Sequence, residues 1–139
     1  MEDLIEDVMT FEAVTNGIRV AVQSYFLDDQ SEPMDNQYVW AYRIKIINES
    51  EKSVQLLTRQ WTIINGEGLT KEVKGEGVIG EQPIILPGQH YVYTSGTPLA
   101  TATGFMRGQY EMQDEDGDHF FIEIPNFSLD SPYYALNVN

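Results

Sequence analysis

The sequence predicts an all-β fold: an antiparallel β-sandwich of about seven strands, of the immunoglobulin or fibronectin type III kind. Three observations support this prediction. Apolar residues recur at every second position in one segment after another between residues 14 and 124. Clusters of Gly, Pro, Asn and Asp separate these segments as turns, and no interior segment has the 3.6-residue period of an amphipathic helix. The 139-residue length is that of one domain.

Residues 1–13 are predicted to form an N-terminal tail or a short helix. Their apolar residues would share one side of a helix, and they are Leu4, Ile5, Val8 and Met9. From Val14 the period changes to two, and alternate apolar residues through Phe26 form the first strand. A polar loop at residues 28–33 ends that strand. We therefore assign the folded domain to residues 14–139.

Two long strands follow, and each contains a tryptophan. The first runs from Tyr38 to Ile46, with alternate aromatic and β-branched residues on one face. The second runs from Ser53 to Ile64 and ends at Asn65-Gly66, a dipeptide typical of hairpin turns. Trp40 and Trp61 could stack on a ligand, but two tryptophans on neighbouring strands of a small β domain are more often core residues.

Shorter strands are predicted in the second half of the chain, at residues 69–74, 91–95, 105–113 and 118–124. The first of these is polar, which suits a sheet edge. Gly96 with Pro98, and later Pro125, are expected to end the strands that precede them. Gly108 interrupts an apolar face and therefore indicates close approach of another main chain. After Pro125 we expect an extended tail packed against the domain.

The net charge of the chain is −14, from 8 Lys and Arg against 22 Asp and Glu. This charge repels phosphate backbones and anionic lipid, so we expect neither nucleic acid nor a membrane as a partner. No apolar run approaches the ~20 residues of a membrane-spanning helix, and the N-terminus is acidic where a signal peptide is basic. Because cysteine is also absent, the expected location is the cytoplasm.

The stretch Gly75-Glu76-Gly77-Val78-Ile79-Gly80 has the G-x-G-x-x-G spacing of dinucleotide-binding loops. In those proteins the motif opens a helix whose N-terminus receives the pyrophosphate. Here Pro83 and Pro87 follow within a few residues and would break such a helix. No acidic residue lies between Glu81 and Glu111 to hold a ribose. The pattern therefore favours a structural glycine loop over a nucleotide site.

Four carboxylates crowd the turn between the last two predicted strands: Asp114, Glu115, Asp116 and Asp118. Carboxylate oxygens suit Mg²⁺ and Ca²⁺, which makes these residues candidates for a divalent cation. Their spacing is not that of an EF-hand, because Gly117 precedes Asp118 and the twelfth position is Pro125. The sequence favours a solvated acidic hairpin.

No catalytic or cofactor site is predicted. Ser95 lies in Thr94-Ser95-Gly96, which is not a G-x-S-x-G elbow, and the two histidines have no spacing that links them to this serine. His90 and His119 both begin predicted strands. Two separated histidines without cysteine do not form a typical zinc site, so we expect a protein that is not an enzyme.

Arg59 shares a strand face with Trp61, which places its guanidinium near the core unless a β-bulge intervenes. A guanidinium in that position needs a partner. We predict an ion pair with Glu76, because a bidentate pair would fix the glycine loop against the sheet.

Several motifs occur in a fixed order along the second half of the chain. They are Val54-Gln55-Leu56-Leu57, Arg59 with Trp61, the stretch from Gly75 to Pro83, Pro87-Gly88, Tyr93-Thr94-Ser95-Gly96 with Pro98-Leu99, Met106 with Gly108 to Glu115, and Ile124-Pro125 with Phe127. Together they resemble the ApaG family of small bacterial proteins, also called CorD, over about residues 14–138. Relatives often carry His or Tyr where this chain has Gln60, which weakens any chemistry that depends on that position.

The resemblance implies a fibronectin type III-like sandwich and an association with cobalt resistance and magnesium efflux. It also suggests protein binding, because related domains occur in eukaryotic F-box and DNA-polymerase-interacting proteins. Our first hypothesis is a non-enzymatic module that binds an unidentified protein partner. The alternative is a sensor that binds Mg²⁺, Co²⁺ or a phosphorylated nucleotide through the glycine loop and the acidic hairpin. We expect the glycine loop to form the partner surface, with Val78 or Ile79 exposed.

Overall fold

The computed structural model describes residue 4 and residues 8–134. Most of the predicted N-terminal tail or helix lies outside the described residues, as does the end of the predicted C-terminal tail. The described residues contain nine strands: β1 (Phe11–Thr15), β2 (Ile18–Phe26), β3 (Tyr38–Asn48), β4 (Val54–Asn65), β5 (Thr70–Glu76), β6 (Ile84–Ile85), β7 (His90–Leu99), β8 (Thr103–Asp114) and β9 (His119–Asp130). Two short 3₁₀ turns, Asp28–Gln30 and Pro33–Asp35, connect β2 to β3.

The strands form two antiparallel sheets that pack face to face, which confirms the predicted sandwich. One sheet has the order β1-β2-β3-β7. The other has the order β5-β4-β8-β9, and β6 pairs with the remaining part of β4. Assignment to the immunoglobulin or fibronectin type III kind stays a prediction. In the residues that the structure describes, no helix has the length and apolar character needed to cross a bilayer.

The core lies between the two sheets and is built from alternate residues of their strands. β3 alternates without exception, with its even-numbered residues from Tyr38 to Asn48 buried. Trp40 and Trp61 are both buried in this core, as predicted. The indole N–H of Trp40 donates to the main-chain carbonyl of Asp130 at 2.8 Å, and Trp61 meets Tyr42 edge to face at 5.4 Å between ring centroids. These contacts satisfy the buried polar edge of one ring and orient the other.

The structure has two strands more than the predicted seven. β1 pairs with β2 through the turn Asn16-Gly17, in which both residues have positive φ, as in type I′ hairpins. The sheet therefore begins at Phe11, three residues before the predicted domain boundary. β6 has only two residues, which is too short to show a period in the sequence.

Pro98 and Pro125 do not end their strands, contrary to expectation. In the ladder between β3 and β7, the odd-numbered residues of β7 form the main-chain hydrogen bonds to β3. The nitrogen of Pro98 therefore points away from β3, where the ladder needs no donor. β9 passes Pro125 because the register with β8 shifts between Met106 and Gly108, which leaves the proline in a β-bulge. Proline is tolerated at both kinds of position because neither needs a main-chain donor.

Gly108 is approached by another main chain, as predicted. A Cβ atom at this position would lie 2.2 Å from the carbonyl oxygen of Gln60 and 3.0 Å from the ring of Trp61. Any side chain would therefore push β4 away from β8, so glycine is required for the pairing of these two strands.

Candidate functional site

The predicted glycine loop, together with Glu81 and Gln82, closes one side of the sandwich. We use the name glycine loop for this whole segment, residues 75–82. β5 and β6 both pair with the same edge of β4, β5 at residues 58–64 and β6 at Val54 and Gln55. The loop spans the gap between them, where the pairing of β4 with β8 is interrupted by a bulge between Leu56 and Thr58. It leads into β6 and not into a helix. The loop therefore lacks the helix N-terminus that holds a pyrophosphate in dinucleotide-binding proteins.

A tight turn forms the tip of the loop. The N–H of Val78 donates to the carbonyl of Glu81 at 2.8 Å, and the N–H of Glu81 donates back to the carbonyl of Val78 at 2.9 Å. The two corner residues, Ile79 and Gly80, have φ angles of 42° and 79°. A β-branched residue with positive φ is strained, because its side chain crowds its own main chain.

The two apolar residues at the tip have opposite environments. Val78 is buried in the core cluster, so Ile79 is the one of the two residues that is exposed. Ile79 is 58% exposed. Farther along the same edge, Ile84 and Leu86 are 64% and 45% exposed while Ile85 between them is buried. The loop thus inserts Val78 between the sheets and leaves Ile79 in solvent, and the edge beyond the loop exposes Ile84 and Leu86.

Arg59 holds the base of the loop. Its Nη1 atom donates to the main-chain carbonyl oxygens of Glu76 and Gly77, at 3.0 and 2.9 Å. The predicted partner residue is thus a neighbour of Arg59, but it contributes its carbonyl oxygen. Among the described residues there is no ion pair between the two side chains. The guanidinium also covers Gly75, where a Cβ atom would lie 2.8 Å from both terminal nitrogens, so a larger residue at this position would have to displace the guanidinium.

Three tyrosines lie in the core near Arg59. The hydroxyls of Tyr93 and Tyr110 are hydrogen-bonded at 2.5 Å, and both side chains are buried. Burial raises the pKa of each of these phenols. Burial also raises the pKa of Tyr42, and a hydrogen bond with Ser95 and the charge of Arg59 oppose that rise. The three phenols therefore stay neutral at physiological pH, where they can donate hydrogen bonds but do not act as bases.

Two further contacts tie the loop to its surroundings. The hydroxyl of Tyr91 donates to Oε1 of Glu81 at 2.9 Å, which links the loop to β7 of the opposite sheet. Desolvation, followed by this contact with the carboxylate, raises the pKa of Tyr91 to about 12. The side-chain amide of Gln82 donates to the carbonyl of Leu57 at 2.9 Å, inside the bulge of β4. The loop is consequently attached to both sheets.

Sequence reasoning missed Glu81, Gln82 and Tyr91 as residues that hold the loop. The alternation of β7 could have placed Tyr91 on the same face as Tyr93. Nothing in the local pattern, however, shows that this tyrosine meets a loop of the other sheet, because that contact depends on how the sheets stack.

Most carboxylates of the acidic hairpin are engaged in local contacts. Oδ1 of Asp114 accepts hydrogen bonds from the N–H groups of Asp116 and Asp118, at 2.9 and 3.0 Å. Glu115 accepts from the N–H of Ser53 at 2.8 Å, and Asp116 forms an ion pair with Lys52 at 2.6 Å. Among the residues that the structure describes, no three His, Cys, Asp or Glu side chains are grouped so that they could hold a metal ion.

The candidate catalytic residues do not form a triad. His90 begins β7 and His119 begins β9, as predicted, so the two histidines lie in different sheets. Nδ1 of His119 is 2.9 Å from Oε2 of Glu111, and this hydrogen bond holds the pKa of Glu111 below its usual value. The side chain of Ser95 is hydrogen-bonded to that of Tyr42. No nucleophile with an adjacent base therefore emerges from these residues.

Comparison with known protein families gives one match of more than half the chain. A family model described as the ApaG domain matches residues 28–114. A protein named ApaG from Paramagnetospirillum magneticum is 54% identical over 129 residues, which cover 93% of this chain and 99% of that protein. Protein ApaG from Brucella canis is 50% identical over the same shares of the two chains.

Solved structures have the same fold. The crystal structure of a Bordetella pertussis protein described as ApaA superimposes with a TM-score of 0.81 and 41% identity, over 83% of this chain and 94% of that one. A second X-ray structure, from a structural genomics consortium, gives a TM-score of 0.80 and 46% identity, over 86% and 91% of the two chains. The C-terminal domain of Wzt, with a TM-score of 0.51 and 11% identity over 87% and 77%, shares the fold alone.

Proposed function

Because this chain belongs to the ApaG family, we propose that it is a non-enzymatic binding module that presents its glycine loop to a protein partner. The relatives named above carry no enzymatic name, and the histidines and Ser95 are not arranged for nucleophilic catalysis. In this proposal the loop acts as a rigid projection from the sandwich, and the partner covers its exposed apolar side chains. The cytoplasm is the proposed location.

The observation that carries the proposal is the conformation of Ile79. Its φ of 42° is one that glycine or asparagine adopts at little cost. A β-branched residue held there costs on the order of 1–3 kcal/mol. The side chain is 58% exposed and does not belong to the core cluster, so core packing does not offset this cost. Strain of this kind, retained at an exposed position, supports a role in binding for the side chain itself.

The attachment of the loop supports the same conclusion. Arg59, Tyr91 and Gln82 fix it through four hydrogen bonds to two sheets, so little conformational entropy remains to be lost when a partner binds. Ile84 and Leu86 extend the apolar surface along the same edge. The net charge of −14 favours a partner whose contact surface combines an apolar site with a basic rim.

The alternative of a metal or nucleotide sensor has less support. The acidic hairpin uses three of its four carboxylates in contacts with the protein itself, and the glycine loop opens no helix. The association with cobalt resistance and magnesium efflux stays an expectation from the resemblance. In our proposal it would act through the protein partner.

The test is to replace Ile79 by Asn, which accepts positive φ without strain. Proteins retained by the wild-type chain from a native lysate are identified by mass spectrometry, purified and titrated by calorimetry. We expect Ile79→Asn to weaken binding by about 1–3 kcal/mol while the free energy of unfolding stays equal or rises. The matched control is Met34→Asn, because Met34 is 98% exposed on the short turn between β2 and β3 and should not affect binding.

Two outcomes would contradict the proposal. If both variants bind the partner as the wild type does, the glycine loop is not the binding surface. If Mg²⁺, Co²⁺, ATP, GTP or NAD raises the melting temperature in a saturable way, the chain binds a small ligand in its native state, and the sensor hypothesis replaces the present one.

A further inference from the structure

The two sheets have five edge strands, because β5 and β6 share one edge of β4, and in the described part of the chain four of them are protected. β6 is protected by its length of only two residues. β1 and β9 lie against each other, linked by a hydrogen bond from the N–H of Glu123 to Oγ1 of Thr15. β5 carries four charged residues along its seven positions, which is a common way to prevent another chain from adding a strand. β7 is protected only near its end, where the missing N–H of Pro98 lies on the free edge. Its ten residues include no Asp, Glu, Lys or Arg.

The free edge of β7 offers main-chain donors and acceptors. Asn48 bonds to the main chain of Gly88 and Gln89, and the register continues with Ile46 opposite Tyr91 and Ile44 opposite Tyr93. In an antiparallel ladder the donors alternate in direction. The N–H groups of Val92, Thr94 and Gly96 therefore point away from β3, and no described residue accepts a hydrogen bond from them.

A cleft lies beside this edge, between the two sheets. It has a volume of about 180 Å³, and its apolar walls are formed by Ile63, Leu69, Pro98 and Leu99. An apolar cavity of about 150 Å³ can hold a benzene-sized group, so the cleft has room for one aliphatic or aromatic side chain. Leu69 leaves 64% of its surface exposed at this site. An added strand would direct alternate side chains toward the gap between the sheets, where this cleft opens.

We propose that β7 accepts an extended segment of a partner protein as an additional strand of the four-stranded sheet, with one apolar side chain of that segment in the cleft. The main-chain bonds would provide affinity and the cleft would provide selectivity. A second copy of this chain is a poor occupant, because two molecules of charge −14 repel each other. The side chain that enters the cleft should be apolar, since Ile63, Leu69, Pro98 and Leu99 form its walls. This surface is separate from the Ile79 surface of the proposed function.

A set of synthetic peptides tests the inference on the full chain. Each peptide has nine residues, alternating threonine and valine between two terminal lysines, with one leucine placed in turn at the five central positions. Binding is followed by calorimetry and by amide hydrogen exchange. We expect saturable binding for at least one leucine position, with exchange at Val92, Thr94 and Gly96 slowed at least about tenfold. A peptide with proline in place of that leucine should not bind, since it cannot pair as a strand.

Matched proline variants locate the added strand. Thr94→Pro removes an outward donor of β7 without affecting the ladder with β3, and we expect it to weaken peptide binding by about tenfold or more. Lys74→Pro removes an outward donor of the charged edge β5 and should leave the affinity unchanged, as should Ile79→Asn. If Thr94→Pro disturbs the circular dichroism spectrum, Leu69→Ser replaces it, because loss of the apolar wall should weaken binding of the same peptide by about tenfold.

Several results would overturn the inference. One is the absence of saturable binding for every peptide at millimolar concentration. A second is slowed amide hydrogen exchange at β5 in place of β7. A third is a peptide affinity that both Thr94→Pro and Leu69→Ser leave unchanged. A fourth is an equal loss of peptide affinity with Ile79→Asn, which would place the peptide on the glycine loop. A stable dimer in sedimentation that Thr94→Pro dissociates would show that a second copy of the chain is the occupant.

Discussion

Tyr93 and Tyr110 form a hydrogen bond inside the sandwich, where water does not compete for either hydroxyl. A buried hydroxyl without a partner costs more than its hydrogen bond contributes, because the group has lost its hydration. The value of the pair to the fold therefore depends on both members. Burial also raises the pKa of both phenols, so both hydroxyls stay neutral. The contribution of the pair to stability therefore does not change with pH below the ordinary pKa of tyrosine.

We predict that Tyr93→Phe and Tyr110→Phe each lower the free energy of unfolding by about 1–3 kcal/mol, since each leaves one hydroxyl unpaired. The double variant should lose less than the sum of the two, because it removes both polar groups together. Denaturation in urea measures all four proteins of this cycle. Tyr134→Phe, at a half-exposed position, is the control and should change stability little. Additive losses would mean that the two hydroxyls do not depend on each other.

The sequence predicted the burial of single residues well where the period-two alternation of a strand determines it. It placed Trp40 and Trp61 in the core. It placed Arg59 on the face of Trp61, near the core unless a bulge intervened, and the structure has a bulge between Leu56 and Thr58. It did not show that Arg59 would donate hydrogen bonds to carbonyl oxygens. A sequence shows which side chains are charged, but every residue has a main-chain carbonyl, so nothing in the sequence marks which of them Arg59 will meet. The sequence also left open whether Val78 or Ile79 would be exposed, because the burial of a loop residue depends on the space between the sheets, which no local pattern reports.

The glycine loop behaves as a structural element although it has no regular secondary structure. It joins two strands that pair with the same edge of β4, and it fills the gap opposite the bulge in that strand. The guanidinium of Arg59 is the main fixed point, since it binds two consecutive carbonyl oxygens of the loop. The loop should therefore loosen when this one side chain is removed, while the paired strands remain.

We predict that Arg59→Met accelerates amide hydrogen exchange in residues 75–82 and lowers the free energy of unfolding by about 1.5–3 kcal/mol, the range for hydrogen bonds to a charged group. Methionine keeps the apolar stem of the side chain, so the loss reports on the guanidinium. The control is Glu76→Gln, which should have little effect because the contact uses the carbonyl of residue 76. If the two variants loosen the loop equally, the carboxylate of Glu76 is also a partner of Arg59.

At the scale of elements, seven of the nine strands were predictable, with errors at their ends. Both errors at proline have one cause: the residue was read as a stop signal, although a proline on an outward position or in a bulge needs no donor. Whether such a position faces outward depends on the neighbouring strand, which is distant in sequence. β1 was missed because its five residues alternate between partly buried and exposed and carry little apolar contrast.

The whole molecule carries a charge of −14 on one compact domain. Among the described residues, Arg19 forms surface ion pairs with Glu12 and Glu49, and Lys52 forms one with Asp116. Exposed pairs contribute little to stability, so they do not offset the mutual repulsion of the remaining carboxylates. Repulsion of this kind is stronger in the compact state than in the unfolded chain, and it should therefore lower the stability of the native protein at low salt.

We predict that the melting temperature rises by a few degrees when the NaCl concentration increases from about 10 mM to about 150 mM, since the Debye length falls from about 30 to about 8 Å. The control is the double variant Asp29→Lys with Asp35→Lys, at two exposed positions between β2 and β3. This change brings the net charge from −14 to −10, and the rise with salt should become smaller. A melting temperature that falls with added NaCl would show that attractive pairs dominate.

The order of the strands in the two sheets has a consequence for synthesis on the ribosome. β3 pairs on one side with β7, and β4 pairs along most of its length with β8. Both partners are translated well after the strands that they join, and at about 5–20 residues per second the segment from Asn48 to Thr103 takes several seconds to appear. During that interval the growing chain exposes the apolar faces of β3 and β4, so we expect the nascent polypeptide to aggregate more readily than the completed domain.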